Sequence, residues 1–268
     1  MSKNSSLPYF ITPHGGNPDK PLFVFLPGMD ESGKELMSLQ TAGLETAFDV
    51  RCFVIPPDNL TTWDELSQQV VTLIQAELEK APRSIVYLCG ESFGACIALQ
   101  VALKVPQLWN RIILINPASS FHRVPWLNLG SLLFPLIPKL FYELFSFTAL
   151  PFLAPLNRLD AASRQALLKS VQEAPPKIVN WRLTLLRDFH IDTTQLHLTV
   201  TQPVLLIASQ GDLILPSVKE VQRLAQIFPN AQVVTIPGCG HACLVETGIN
   251  LLQILQSENF WNFQPKTS

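Results

Sequence analysis

The sequence has few charged residues, and the charges that it has nearly cancel. Only 15% of the 268 residues are charged, and the formal net charge is −2. Proteins that bind nucleic acid through its phosphates need a basic surface, so we expect no nucleic-acid partner. Long uninterrupted apolar runs are also missing. In the most apolar segment, residues 124–157, Lys139, Glu143 and several prolines leave runs shorter than the roughly 20 residues of a membrane-spanning helix.

Two further features are absent. The first residues, MSKNSSLPYF, contain no apolar core with a small-residue cleavage site, so we expect no secretory signal peptide. The five cysteines are odd in number and show no disulfide spacing, and Cys89 and Cys96 fall in strand-like and helix-like sequence. A reducing, cytoplasmic location is therefore the expectation.

The sequence does contain a regular alternation of two patterns. Helical patterns cover residues 63–80, 95–104, 217–228 and 244–257. Between them lie short apolar runs, typical of parallel strands buried on both faces. These runs are LFVFLP (22–27), VRCFVIP (50–56), SIVYLC (84–89), RIILIN (111–116), PVLLIA (203–208) and AQVVTI (231–236). The alternation predicts an α/β fold, a mostly parallel sheet with helices on both faces.

The alternation stops between about residues 117 and 200. This interval contains apolar stretches interrupted by prolines and then helical sequence at 160–174, without a convincing parallel strand. We predict that residues 1–116 and 201–268 form the core and that residues 117–200 are a helical cap inserted between two strands.

The candidate nucleophile is Ser92, in the sequence GESFG. This sequence matches the nucleophile-elbow pattern G-x-S-x-G. A chain of this length and ordinary composition contains the pattern by chance about one time in ten. Its context is more specific, because it follows a predicted strand and opens a predicted helix. So sharp a turn strains the serine backbone, and the flanking glycines allow the chain segments to approach closely.

A serine nucleophile needs a base, and the base needs an orienting acid. His241 follows the last predicted strand, which places it in a loop at the same edge of the sheet as Ser92. Asp212 follows the strand at 203–208, in the chain order Ser, acid, His. The other place for an acid, after RIILIN, holds NPASS and offers no carboxylate.

Two backbone N–H groups are needed to stabilise the oxyanion of a tetrahedral intermediate. Phe93, directly after the serine, supplies one candidate, and Met29 supplies the other in the loop LPGMDES, where Gly28 permits the turn. The sequence PHGGNP (13–18) mimics the H-G-G motif of lipases, but it precedes the strand, so we predict a hairpin turn there.

The run CGHAC superficially resembles a zinc site, since Cys239, His241 and Cys243 alternate in it. Its spacing matches no common structural zinc site, and no second Cys/His pair accompanies it. We therefore expect no metal.

The order Ser92, Asp212, His241 over a parallel sheet resembles the α/β-hydrolase superfamily across nearly the whole chain. Longer phrases, FVFLPGMDESG, LCGESFGACIAL, LINPASSF and GHACLVETGINLL, resemble the hydrolase half of plant plastid phytyl ester synthases and their esterase, lipase and thioesterase relatives. The resemblance places the family's nucleophile, acid, base and oxyanion loop at Ser92, Asp212, His241 and Met29. The plant proteins continue into an acyltransferase-like domain that the resemblance does not cover. What it implies here is hydrolysis or acyl transfer by the serine module.

The predicted cap is rich in Leu, Phe, Trp and Pro. Such a lid over Ser92 predicts an apolar acyl pocket, with Gly28, Trp126, Phe134 and Leu213 as candidate substrate-binding residues. The same composition would suit a transient, peripheral contact with a membrane interface. An ordinary, well-packed cap core would have it too, so both interpretations stay open.

Three functional classes remain open. The leading one is a serine hydrolase, or a related acyltransferase, that acts on a lipophilic acyl ester or thioester without a cofactor. The second is a lyase of the menaquinone-pathway type, which needs cap arginines to bind an acidic substrate. Its candidates are Arg123, Arg158, Arg164, Arg182 and Arg187. The third is a binding protein without turnover, although such proteins often lose a residue of the triad. The sequence does not indicate an oligomeric state.

Overall fold

The computed structural model describes residues 6–29, 33–136 and 148–261. Within these ranges seven strands form one sheet, in the order β1-β3-β2-β4-β5-β6-β7. The pair β1–β3 is antiparallel, and every other neighbouring pair is parallel. The strands are β1 Tyr9–Ile11, β2 Leu22–Leu26, β3 Asp49–Val54, β4 Val86–Glu91, β5 Arg111–Ile115, β6 Val204–Ser209 and β7 Ala231–Ile236. The predicted mostly parallel sheet is confirmed.

Helices follow most of the strands. Residues 148–153 are also helical and are called α5. The others are α1 Lys34–Gln40, α2 Trp63–Lys80, α3 Phe93–Lys104, α4 Pro125–Leu133, α6 Ala161–Glu173, α7 Pro176–Arg187, α8 Thr193–Thr199, α9 Ser217–Ala225 and α10 Leu251–Ser257. Helix α2 has the predicted bounds because a capping box fixes its start. The Thr62 hydroxyl accepts from the Glu65 N–H, and the Glu65 carboxylate accepts from the Thr62 N–H at 2.8 Å.

The core lies on both faces of the sheet. Successive side chains of a strand point to opposite faces. On β2, Val24 packs in a cluster with residues of α2, α3 and α9, whereas Phe25 packs with residues of α1 and α10. Both faces are therefore covered by helices, which explains why the strands are continuously apolar.

The segment between β5 and β6 corresponds to the predicted cap. Its described residues, 116–136 and 148–203, contain α4 to α8 and short 3-10 turns, with no strand. Helix α4 packs against α7. The apolar sequence at 137–147, part of the predicted lid, lies outside the described residues. Across the parts of the chain that are described, no helix is long and apolar enough to cross a membrane.

The predicted hairpin turn at residues 13–18 is wrong. Strand β1 pairs with β3, and β2 lies on the other side of β3, so β1 and β2 are not neighbours. The three residues of β1 were not predicted, because so short an edge strand carries no periodic signal.

The predicted helix at 244–257 is too long. Only its second half, α10, is an α-helix, and Cys243–Val245 form a 3-10 turn. Gly248 has φ +83°, a conformation that interrupts a right-handed helix. The Asn250 side chain then accepts the Gln253 N–H at 3.0 Å and caps the start of α10.

Candidate active site

Ser92 lies at the tip of the turn from β4 to α3. Its backbone has φ +51° and ψ −111°, a positive φ that is uncommon for a residue with a side chain. Its N–H donates to the Ile115 carbonyl at 2.9 Å, which fixes the turn to the end of β5. The strained serine conformation that the motif predicts is therefore present.

The two glycines of the motif are required by close backbone approaches. A Cβ on Gly94 would stand 2.0 Å from the Leu26 carbonyl oxygen, at the end of β2. A Cβ on Gly90 would stand 2.5 Å from the Gly94 carbonyl oxygen. The first residues of α3 thus press directly on the ends of β2 and β4, and only glycine leaves room for this contact.

The structure brings Ser92, His241 and Asp212 together in one hydrogen-bonded chain. The Ser92 Oγ and His241 Nε2 are 2.8 Å apart, and His241 Nδ1 and Asp212 Oδ2 are also 2.8 Å apart. An ionised carboxylate only accepts hydrogen bonds, so Asp212 favours the tautomer with the proton on Nδ1. In that tautomer Nε2 is unprotonated and can accept the serine proton.

Asp212 is held by more than the histidine. Its Oδ1 accepts the N–H groups of Ile214 and Leu215, both at 2.9 Å, and its Oδ2 also accepts the Ser217 hydroxyl. Burial by itself raises the pKa of this carboxyl. The attraction of His241 and these hydrogen bonds outweigh burial and hold the pKa below its ordinary value. The carboxylate is therefore ionised at neutral pH.

Sequence reasoning missed Asn116, which braces the loop of His241. Asn116 directly follows β5, is fully buried and has φ +43°. Its Nδ2 donates to the His241 carbonyl at 2.7 Å, and its Oδ1 accepts the Ser209 N–H at 2.8 Å. At the position where an alternative acid would stand, an amide joins the ends of β5 and β6 to the histidine loop.

A second support of the histidine loop was also missed. The buried Glu246 carboxylate accepts the Gly240 N–H at 2.7 Å and pairs with Arg158 Nε at 2.5 Å. The Ala242 N–H donates to the Leu153 carbonyl at 2.8 Å. The segment between β5 and β6 is therefore bonded directly to the loop that carries His241.

Glu91, beside the serine, is buried and does not face solvent. Its Oε2 accepts from Gln40 Nε2 at 3.0 Å, so it connects the end of β4 to α1 behind the turn. This contact spans 51 residues, and the local sequence carries no sign of it.

A cavity of about 270 Å³ opens at Ser92 and His241. Three of the predicted substrate-binding residues, Gly28, Trp126 and Phe134, line it. The rest of its wall is mostly apolar and includes Phe121, Leu127, Leu183, Leu186, Ile214 and Leu215. Such a wall suits an apolar ligand better than a charged one.

The structure places Leu213, a predicted substrate-binding residue, outside the cavity wall. This side chain is 61% exposed and does not line the cavity, whereas its neighbours Ile214 and Leu215 do. The reason is the turn around the Asp212 carboxylate. Its Oδ1 accepts the N–H groups of Ile214 and Leu215, and Leu213 is left at the outer tip of the turn.

The two predicted oxyanion donors lie beside Ser92. Met29 follows the end of β2 and lines the cavity, and Phe93 opens α3 with its side chain packed against Trp63 at a ring separation of 4.7 Å. In residues 6–29, 33–136 and 148–261, no backbone carbonyl accepts a hydrogen bond from either amide. The N-terminal amides of a helix lack intrahelical partners and favour negative charge.

The arginines that a lyase would need are not in the wall of this cavity as described. Arg158 is paired with Glu246, and Arg182 is buried elsewhere, with Nη2 at 3.5 Å from the Ile55 carbonyl. Among the described residues, the cavity wall gives an acidic substrate no Arg or Lys partner beside Ser92.

The cysteines around His241 are buried thiols. Burial raises the pKa of the Cys239 thiol to about 12 and raises the pKa of the Cys243 thiol well above its ordinary value. Both ring nitrogens of His241 already have protein partners. Across the described ranges, no cluster of three His, Cys, Asp or Glu side chains has metal-binding geometry.

Comparison with known proteins agrees with this geometry. The sequence profile of the Alpha/beta hydrolase family matches residues 23–248. The chain therefore belongs to the alpha/beta hydrolase family, as its motifs predict.

Two plant relatives match most of this chain. Phytyl ester synthase 1, chloroplastic, from Arabidopsis thaliana is 32% identical over 267 residues, which cover 89% of this chain and 37% of that protein. Phytyl ester synthase 2, chloroplastic, from the same plant is 26% identical over 269 residues, 91% of this chain and 38% of that protein. The chain thus spans less than two fifths of the length of these relatives. The predicted resemblance to their family is confirmed.

A solved structure shows the same fold. A thermophilic esterase from Thermogutta terrifontis superposes with a TM-score of 0.68 at 19% identity, covering 95% of this chain and 92% of that one. At this identity the likeness concerns the fold alone.

Proposed function

We propose that this chain is a serine hydrolase that cleaves a lipophilic acyl ester or thioester through an acyl-enzyme. The observation that carries the proposal is the Ser92–His241–Asp212 chain at a strained turn, where it opens into an apolar cavity. The names of the plant relatives support a lipophilic ester as the substrate class.

In the first half of the reaction, His241 Nε2 takes the proton of the Ser92 hydroxyl while Oγ attacks the carbonyl carbon. The carbonyl π electrons move to oxygen, and the Met29 and Phe93 N–H groups stabilise this oxyanion. Asp212 stabilises the imidazolium. The intermediate then collapses, the bond to the alcohol or thiol breaks, and the leaving group takes the proton from His241.

In the second half, the acyl group is carried by Ser92 Oγ. His241 takes a proton from water, the water oxygen attacks the acyl carbon, and the bond to Oγ breaks as the serine regains its proton. A free acid leaves. An alcohol in place of water would give acyl transfer, so the same residues would serve an acyltransferase. No cofactor takes part in these steps.

The proposal includes a predicted cap and a reducing location. We assign residues 117–200 as the cap because they supply Trp126, Phe134 and α7 residues to the cavity wall.

The five cysteines are free and buried, which fits a reducing compartment such as the cytoplasm. The names of the plant relatives instead give the chloroplast as their location.

A series of p-nitrophenyl esters from acetate to palmitate tests the proposed function. We expect kcat/KM to rise with chain length up to decanoate or longer. Each methylene that is buried in the cavity contributes about 0.8 kcal/mol, or about fourfold in kcat/KM. Ser92→Ala is the control that measures hydrolysis without the nucleophile. A strict preference for acetate would refute the lipophilic substrate.

We further propose that the outer face of α4 and the turn after it contacts a membrane interface. Four leucines there are at least half exposed, at 59%, 57%, 50% and 75%. They are Leu129, Leu132, Leu133 and Leu136. Other side chains of the same stretch line the cavity, so a lipid would pass from the interface to Ser92 over a short distance.

Sedimentation with phosphatidylcholine vesicles tests this contact. We expect the double variant Leu132→Glu, Leu136→Glu to bind at least about threefold less than wild type, because two apolar contacts are replaced by charges. Leu198→Glu is the matched control, since Leu198 is 70% exposed on α8. Equal binding of all three proteins would contradict the proposal.

A further inference from the structure

We propose that Gly130 determines the length of the acyl chain that the cavity accepts. The inference rests on the proposed function, and it adds a specificity-determining residue to the site. Two observations support the proposal. One face of α4 lines the cavity, and the residue in the middle of that face has no side chain.

Helix α4 and the 3-10 turn after it line the cavity with one regular stripe of residues. Trp126, Leu127, Gly130, Ser131 and Phe134 all contribute to the wall. Their spacing of one and four residues places them on one face of the helix. Gly130 lies one turn after Trp126 and one turn before Phe134. The stripe therefore has bulky aromatic residues at both ends and a gap in the middle.

Neither the backbone nor the packing requires glycine at this position. Gly130 lies inside α4 and is not among the described glycines with positive φ. Glycine within a helix is unfavourable compared with alanine. Apart from the adjacent residues and the backbone of α4 itself, no atom of the described residues lies within 4 Å of the place where a Cβ would stand. In contrast, a Cβ at Gly90 or Gly94 would collide with backbone atoms.

Gly130 is exposed and lines the cavity, so we place the space that its missing side chain leaves on the cavity side of α4. Helix α7 packs against α4 and supplies Leu183 and Leu186 to the cavity wall. A leucine or phenylalanine at position 130 would project from α4 into a volume of only about 270 Å³. The mostly apolar wall suits an alkyl chain, and a side chain at 130 would reduce the space for that chain.

The test is the ester series applied to Gly130→Ala, Gly130→Leu and Gly130→Phe. We expect the ratio of kcat/KM for decanoate to that for acetate to fall as the new side chain grows. The fall should reach about 10- to 100-fold for leucine and phenylalanine, the range for a misfit of a few carbon atoms in an apolar pocket. The preferred chain length should shorten in the same order.

Two controls separate this effect from damage to the fold. Ala162→Leu adds a leucine side chain to an exposed position of α6 that does not line the cavity, and its ratio should equal that of wild type. The Gly130→Ala protein should have a Tm at or above that of wild type, because alanine favours the helix.

The outcomes distinguish the inference from the proposed function. If the Gly130 variants react with a fluorophosphonate and hydrolyse acetate with an unchanged chain-length ratio, the role of Gly130 is refuted and the hydrolase stands. If wild type neither reacts with the fluorophosphonate nor hydrolyses any ester, the proposed function fails and the inference fails with it.

Discussion

Asp212→Asn is expected to lower kcat by about 10⁴-fold while the protein stays folded, as this change does in a serine protease triad. The amide of asparagine can donate to His241 Nδ1, at the position where the carboxylate accepts at 2.8 Å. The imidazole then carries its proton on Nε2 and cannot accept the Ser92 proton. Steady-state hydrolysis of a p-nitrophenyl ester gives kcat, and circular dichroism verifies the fold.

Asp188→Asn is the matched control for this variant. Asp188 is 65% exposed at the end of α7, where it contacts Arg187, and it lies outside the cavity wall. Its kcat should stay within about twofold of wild type, as is usual for surface substitutions. If Asp212→Asn also retained kcat within tenfold of wild type, Asp212 would not be the acid of a triad.

Gly94→Ala is expected to destabilise the fold severely. The added Cβ would stand 2.0 Å from the Leu26 carbonyl oxygen and 2.5 Å from its carbon. Both are backbone atoms of a buried strand, so the start of α3 would have to move away from β2. Clashes and strain of this kind cost more than about 4 kcal/mol in the severe cases. For a chain of this size that corresponds to a fall in Tm of roughly 10 °C or more.

Thermal unfolding measures this effect, and Gly130→Ala is its control. Both variants add one methyl group to a helical glycine, but only position 94 meets backbone at contact distance. A Gly94→Ala protein with the Tm of wild type would show that the turn is looser than this geometry requires. If Tm fell equally in both variants, the loss at position 94 would have a cause other than the clash with the Leu26 backbone.

The parts of the fold that the sequence predicts are those with local signals. Strands β2 to β7 are apolar runs between turns, and their observed ends differ from the predicted ones by no more than two residues. The capping box of α2 sets its start at Trp63. The elbow was also predictable, because its two glycines, its strand and its helix are adjacent in the chain. These signals depend on neighbours within a few residues.

The parts that the sequence does not predict depend on distant contacts. Asn116 holds the His241 loop across 125 residues, and Arg158 reaches Glu246 across 88 residues. No pattern near either residue indicates these partners. The exposure of Leu213 was equally hidden from the sequence, because it depends on the turn around the Asp212 carboxylate.

The roles of Ser92, Asp212 and His241 were inferred from chain order and from the edge of the sheet at which each loop falls. The structure places the three side chains within hydrogen-bonding distance. Much of the cavity wall comes from the segment between β5 and β6, where the strand and helix alternation stops.

If Ser92 is the nucleophile that carries the acyl group, its Oγ should also react with a fluorophosphonate. Wild type and Ser92→Ala are incubated with the probe, and the intact mass and the modified peptide are determined by mass spectrometry. We predict a single adduct in wild type, on the peptide that contains Ser92, and no adduct in Ser92→Ala. Labelling that survives the substitution, or an adduct on another residue of wild type, would show that Ser92 is not the nucleophile.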